Sequence, residues 1–110
     1  MNRDQVIERL NTLPGLIYEH EKALLAAVET QHELEANLKA KEAELMLSGE
    51  IDGKNAEVRA AQMAEKTFSE RVGVKEAEKT VANMRANLNA AHNEFNALRA
   101  IATLLAGEVA

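Results

Sequence analysis

The sequence contains no cysteine, which excludes disulfide bonds and thiolate metal sites and favours a reducing compartment. It contains one proline and, among 110 residues, only three aromatic residues. No apolar run approaches the roughly 18 residues that a membrane span requires. The first residues also lack the hydrophobic stretch of a signal peptide. These absences predict a cytoplasmic protein that has no membrane partner.

The apolar residues of the chain are mainly small and aliphatic. Apolar residues account for 46% of the sequence, and with so few aromatics they are mostly alanine and leucine. Together with many glutamates, lysines and arginines, this composition is typical of coiled coils and helical bundles. A chain of this size buries only a marginal core by itself, so we expect another subunit to contribute surface. We therefore predict one helical domain, residues 1–110, that forms a dimer or a higher oligomer.

The strongest pattern is an apolar repeat that recurs every 3.5 residues on average. This spacing places its members on one seam of a long helix, and such a seam is stable only against another helix. The C-terminal seam consists of Val74, Ala77, Val81, Met84, Leu88, Ala91, Phe95, Leu98, Ala102 and Leu105. We predict that this seam is the oligomer interface, formed chiefly by Val74, Val81, Met84, Leu88, Phe95, Leu98 and Leu105.

Turn residues divide the N-terminal half of the chain into two predicted helices. Amphipathic spacing predicts a short helix over residues 3–12. Pro14 and Gly15 are expected to end it, since proline disfavours a helical conformation of the preceding residue and glycine permits a bend. A second helix is predicted over residues 16–47. Its inward positions include the polar residue Gln31, so its seam is weaker than the C-terminal one.

A third helix is predicted over residues 55–106, after a hairpin tip at residues 48–54. Asn55 is a suitable N-cap for this helix, and Ser48–Gly49 suits the C-terminal cap of the preceding one. The fold class is therefore all-α: a long antiparallel helical hairpin with a short N-terminal helix, assembling as a coiled-coil or helical-bundle oligomer. In this arrangement the third helix extends about twenty residues beyond the second.

The apolar frame of the third helix changes at Gly73, where the C-terminal seam begins. Such a change of frame predicts a bend or a local change of supercoiling near this glycine. Before it, the inward positions are expected to be Val58, Ala61, Phe68 and Val72.

Candidate catalytic and metal-binding residues are few. Glu29 and His32 have the Glu-x-x-His spacing of di-iron bundles, but such sites need a second motif and further glutamates. We interpret His20 and His92 as structural, and we expect His92 to pair with Glu94 or with a neighbouring subunit. The sequence has no recognisable nucleophile–base set and no glycine-rich phosphate loop. We therefore expect no enzymatic activity, no catalytic or metal-binding residue and no cofactor.

The hairpin tip is the candidate partner-binding site. It combines Ile51, an apolar side chain that we expect to be exposed, with the cations Lys54 and Arg59 and the cap residue Asn55. Loops held on rigid scaffolds often carry recognition. The alternative is that these residues only form a loop and a helix cap.

The segment from Asp52 to Gln62 reads Asp-Gly-Lys-Asn-Ala-Glu-Val-Arg-Ala-Ala-Gln. It resembles a Gly-Lys-Asn-Ala-Glu-x-Arg segment of small helical accessory proteins of tailed bacteriophages and prophages, although Val58 stands where the commoner form has glutamate. The resemblance covers about a tenth of the chain. It implies an accessory protein from the early region of a phage, located in the host cytoplasm. It carries over no active-site residue.

Two functions fit these features. The first is a noncatalytic, homo-oligomeric coiled-coil protein that binds or modulates another macromolecule, such as a host or phage protein. The second is a nucleic-acid-binding accessory factor in phage recombination or replication. Nucleic acid is an uncertain partner, because the net charge is −5 and glutamates interleave with the cations, so that intrahelical ion pairs also explain them. The cations concerned are Lys54, Arg59, Lys66, Arg71, Lys75, Lys79 and Arg85.

Overall fold

The computed structural model describes residues 1–109, and the side chains of residues 1–107. Over this range the chain is helical and contains no strand, which confirms the all-α prediction. The three helices are α1 (Arg3–Leu47), α2 (Ala56–Lys66) and α3 (Phe68–Val109). With 45 and 42 residues, α1 and α3 are nearly equal in length. Because α1 begins at Arg3 and its first part packs against Ala91 and Leu98 of α3, the predicted overhang of the C-terminal helix is wrong.

The first helix continues through Pro14 and Gly15, so the predicted end of a short helix there is wrong. Pro14 is exposed, and it has no N–H to donate to the carbonyl of Leu10 one turn earlier. Apolar residues on both sides of the proline share one cluster: Val6 is buried in it, and Ile17 packs against it. Burial of this continuous stripe outweighs the cost of the proline.

The C-terminal helical segment is interrupted at Thr67, whereas Gly73 lies inside α3. Thr67 is fully buried, and its φ of −115° and ψ of 20° lie outside the α-helical range. Its hydroxyl donates to the carbonyl of Met63 at 2.6 Å and accepts from Nε of Arg71 at 2.9 Å. One buried hydroxyl thus bonds to both sides of the interruption. The single helix predicted over residues 55–106 is two helices.

The chain divides into two compact units. The first unit contains residues 1–26 and 82–110, and the second unit contains residues 27–81. Each unit therefore combines a part of α1 with a part of α3. No helix of the described residues is both long enough and apolar enough to cross a membrane.

In the first unit, α1 and α3 run antiparallel. Near the start of α1, Val6 lines one groove together with Leu105. Further along α1, His20 lines another groove together with Asn87, which precedes Leu105 in α3. The buried apolar cluster of this unit consists of Val6, Leu13, Ala91 and Leu98.

In the second unit, the buried residues come from α1, from α3 and from the interruption between α2 and α3. They are Leu45, Thr67, Val74, Ala77 and Val81. Most of these side chains are small or β-branched, so the core of this unit is thin.

The C-terminal seam packs inside the chain. Every one of its ten members is buried or half-buried. In the first unit the cause is that α1 lies against the end of α3, whereas Val74, Ala77 and Val81 are buried in the second unit. Of the residues predicted to form the oligomer interface, Val74, Val81 and Leu98 are buried within the chain itself. Met84, Leu88, Phe95 and Leu105 are half-buried, and for them the interface stays a prediction.

A partly exposed ion pair joins the two helices of the first unit. Nε and Nη2 of Arg9 donate to the two carboxylate oxygens of Glu94 at 2.7 and 2.9 Å. These hydrogen bonds lower the pKa of Glu94 and raise the pKa of Arg9. His92 therefore does not pair with Glu94 as predicted; its Nε2 lies 4.0 Å from Oε1 of Glu21.

We expect Glu94→Gln to lower stability at neutral pH and to lose this effect in acid. The folded-state pKa of Glu94 lies below its unfolded-state value. Its pair therefore contributes stability above the unfolded value and loses it as the pH falls through the folded value. Urea unfolding of both proteins, followed by circular dichroism from pH 7 downwards, measures the gap.

The effect should be small and should shrink in salt, because both side chains are 37% exposed. Glu8→Gln, at an exposed position of α1, is the matched control and should show no comparable gap. A gap between the wild type and Glu94→Gln that stayed constant with pH would contradict the assignment.

Candidate functional site

The predicted tip lies in the second unit, between the end of α1 and the start of α2. Gly49 follows α1 with a φ of 78°, the left-handed conformation that glycine adopts after helix C-termini. Asn55 is the N-cap of α2, and its Oδ1 accepts a hydrogen bond from the N–H of Val58 at 2.9 Å. The two predicted caps are therefore confirmed.

Two side chains of α2 bond to the tip. Oε1 of Gln62 accepts from the N–H of Gly53 at 2.9 Å, and Nε2 of Gln62 donates to Oδ1 of Asp52 at 2.9 Å. Nη1 of Arg59 donates to the carbonyl of Gly53 at 3.0 Å. Since both sides of Gly53 are bonded to the same helix, the tip is held on α2.

Gly53 lies so close to α2 that it has no room for a side chain. A Cβ atom at this position would lie 2.6 Å from Cγ1 of Val58 and 3.0 Å from the backbone nitrogen of Arg59. Gly53, Asn55 and Arg59 carry much of the phage resemblance, and each has a structural role in the tip. The resemblance therefore identifies no contact with a partner by itself.

Few of the predicted partner-binding residues are free for a partner. Ile51 is half-buried, so its predicted exposure is wrong. Asn55 and Arg59 bond within the chain, while Lys54 is exposed. The tip thus offers one cation and little apolar surface to a partner. This favours the alternative that its residues form only a loop and a helix cap.

A shallow apolar groove in the second unit is the stronger candidate surface. Its volume is about 400 Å³, and all three helices line it. Phe68 is 68% exposed and Val72 is 42% exposed, although both are large apolar side chains. We call this surface the Phe68 groove, and its lining residues are Leu38, Ala64, Phe68, Arg71, Val72, Val74, Lys75 and Glu78.

Cations predominate among the charged residues of the Phe68 groove. Arg71 and Lys75 lie one turn apart on α3, and Glu78 is the one acidic lining residue. Within the described part of the chain, neither cation has a carboxylate at ion-pair distance. The guanidinium of Arg71 is positioned by its bond to the buried hydroxyl of Thr67. The groove thus combines an apolar surface with two cations available to an anionic group.

Sequence reasoning placed two residues of the Phe68 groove, Phe68 and Val72, on the buried side of the helix. Val58, Ala61, Phe68 and Val72 were expected to face inward, and all four are exposed. The change of apolar frame at Gly73 was the sequence signal that could have shown which of these residues face outward. One helix cannot turn two different frames towards the same neighbour, and the frame that begins at Val74 is the buried one.

The row of cations that suggested nucleic-acid binding is largely engaged within the chain. Lys79 pairs with Glu76 at 3.5 Å on the same helix, as the interleaving predicted. Lys66 approaches Glu50 of the tip at 3.9 Å, and Arg59 and Arg71 donate to the chain itself. These contacts favour structural roles for Arg59, Lys66 and Lys79.

The histidines form no recognisable site. Glu29 and His32 are both exposed, and His20 is half-buried. No group of three or more histidine, aspartate and glutamate side chains is placed to hold a metal ion within the part of the chain that the structure describes.

The chain matches no protein-family model, no curated protein and no solved structure.

Proposed function

We propose that this chain is a noncatalytic helical interaction protein, encoded by a phage or prophage, that associates with copies of itself and binds another macromolecule. The observation that carries this proposal is the distribution of apolar side chains. Among the described residues, eleven large hydrophobic side chains are exposed, whereas only eight hydrophobic residues are buried. Phe68 and Val72 are exposed together in one groove, and contiguous exposed apolar surface is typical of a partner-binding site. A thin core also benefits from a second subunit.

The exposed face of α1 in the first unit supports self-association. Four of its exposed residues fall within about 40° of one another on a helix of about 100° per residue. They are Ile7, Pro14, Tyr18 and Leu25. A narrow apolar stripe of this kind is typical of a helix that packs against another helix.

Light scattering after size-exclusion chromatography tests self-association. At micromolar concentration we expect a mass of at least twice the 12.1 kDa of one chain. Replacing Tyr18 and Leu25 by serine should lower this mass towards that of one chain, because both side chains are exposed and contribute to the apolar stripe. Thr12→Ser, at an exposed polar position of the same helix about 120° away from the stripe, is the matched control and should leave the mass unchanged. A wild-type chain that stays monomeric would contradict self-association.

The phage assignment rests on the resemblance of residues 52–62. The noncatalytic assignment is supported by the lack of any recognisable nucleophile–base set in the sequence.

A further inference from the structure

We infer that the Phe68 groove docks an amphipathic helix of a partner protein whose apolar face is flanked by acidic residues. This inference rests on the proposed function and specifies the kind of partner that the second unit receives.

The apolar part of the groove fits helix-in-groove recognition. Phe68 and Val72 lie one turn apart on α3, and Leu38 of α1 and Ala64 of α2 also line the groove. Recognition of this kind uses apolar side chains of the bound helix at positions such as i, i+4 and i+7. A bound helix would remove Phe68 from water, and burial of a large aromatic side chain is a major contribution to binding energy.

The charges of the groove select an acidic partner. Arg71 and Lys75 have no carboxylate partner among the described residues, and their spacing matches two acidic residues one turn apart on a bound helix. The hydrogen bond from Arg71 to Thr67 already restricts the guanidinium, so less side-chain freedom is lost on binding.

The same cations disfavour a contact in which the grooves of two copies of this chain face each other. A twofold-symmetric contact brings the same surface of both copies together. It would therefore bring Arg71 and Lys75 of one copy near Arg71 and Lys75 of the other, with one acidic lining residue per copy to offset them. Like charges across an interface are unfavourable.

Binding of synthetic peptides tests the inference. The probe is a fluorescently labelled helical peptide with leucines at i, i+4 and i+7 and glutamates beside them, and its twin carries lysines in place of the glutamates. Fluorescence anisotropy should show that the acidic peptide binds the full chain more tightly than its twin. Phe68→Ser should weaken binding by about tenfold or more. Leu104→Ser, at a residue of the first unit that is 69% exposed, is the matched control and should leave binding unchanged.

Charge reversal provides a second test that does not depend on the aromatic ring. Lys75→Glu should weaken binding of the acidic peptide and strengthen binding of the basic twin, because it reverses one charge of the groove. Lys75 is exposed and makes no ion pair among the described residues. Circular dichroism and urea unfolding of every variant show whether it is folded like the wild type. Failure of the acidic peptide to bind, or equal binding to the wild type and both groove variants, would overturn the inference.

Light scattering of the same samples separates this inference from the proposed function. If the chain self-associates but does not bind the peptide, only the docking inference is overturned. A monomeric chain that binds the peptide through Phe68 supports docking and contradicts self-association alone. If Phe68→Ser abolishes self-association and the acidic peptide does not dissociate the wild-type oligomer, the groove receives a second copy. That result overturns the inference.

Discussion

Replacement of Leu13 by alanine is expected to lower the free energy of unfolding by about 3 kcal/mol. Leu13 is 0% exposed and lies in the apolar cluster of the first unit with Val6, Ala91 and Leu98. Truncation removes buried apolar atoms and leaves a cavity that its neighbours fill only in part. Because the cores are thin, few other buried side chains stabilise the fold when Leu13 is truncated. A loss of about 3 kcal/mol is also a large part of the roughly 5–15 kcal/mol that stabilises a typical domain.

Urea unfolding followed by circular dichroism at 222 nm measures this effect. Leu25→Ala is the matched control, since Leu25 lies on the same helix and is 61% exposed. It should change the free energy of unfolding by less than about 0.5 kcal/mol at a concentration where self-association is absent. Equal losses from the two substitutions would contradict the packing of α1 against α3 in the first unit.

Replacement of Pro14 by alanine is expected to raise the free energy of unfolding by about 1–3 kcal/mol. Pro14 lies inside the unbroken α1 and is exposed, so alanine costs no buried surface at a concentration where self-association is absent. Alanine supplies the N–H that can bond to the carbonyl of Leu10, and it removes the clash between the proline ring and the preceding turn. The more flexible unfolded chain of the alanine variant offsets part of this gain.

The same unfolding experiment measures the gain, and Asn11→Ala provides the control for ordinary helix propensity. Asn11 is exposed and lies one turn before Pro14, so its replacement should raise stability by less than about 1 kcal/mol. If Pro14→Ala left stability unchanged or lowered it, the helix would end near Pro14, and the sequence-based expectation of a short N-terminal helix would be restored.

Local signals predicted much of the fold. Asn55 caps α2 because its side-chain oxygen reaches an N–H only three residues away. Gly49 ends α1 through its own backbone conformation. The C-terminal seam was recognisable because a 3.5-residue period keeps its members on one face of a helix. All of these features depend on neighbouring residues, so one sequence was enough to find them.

The candidate site was much less predictable. The tip was recognised from its turn residues, but the bonds of Arg59 and Gln62 to Gly53 bring together residues that no local rule pairs. Phe68 was assigned to the core because it fits the apolar frame of Val58, Ala61 and Val72. Phe68 is exposed because only one of the two apolar frames of this segment can be buried. The neighbouring helices decide which frame that is.

By itself, the sequence determined the helical class, the two caps around the tip and the seam from Val74 to Leu105. The tertiary structure decided where the helices end and what covers the seam. Pro14 does not end a helix, because it faces water while its neighbours are buried, whereas Thr67 marks an interruption with its hydroxyl buried. Whether a helix ends at Pro14 or at Thr67 depends on whether that residue faces water or packs against another helix. Propensity cannot supply that information, because burial is a property of the packed fold.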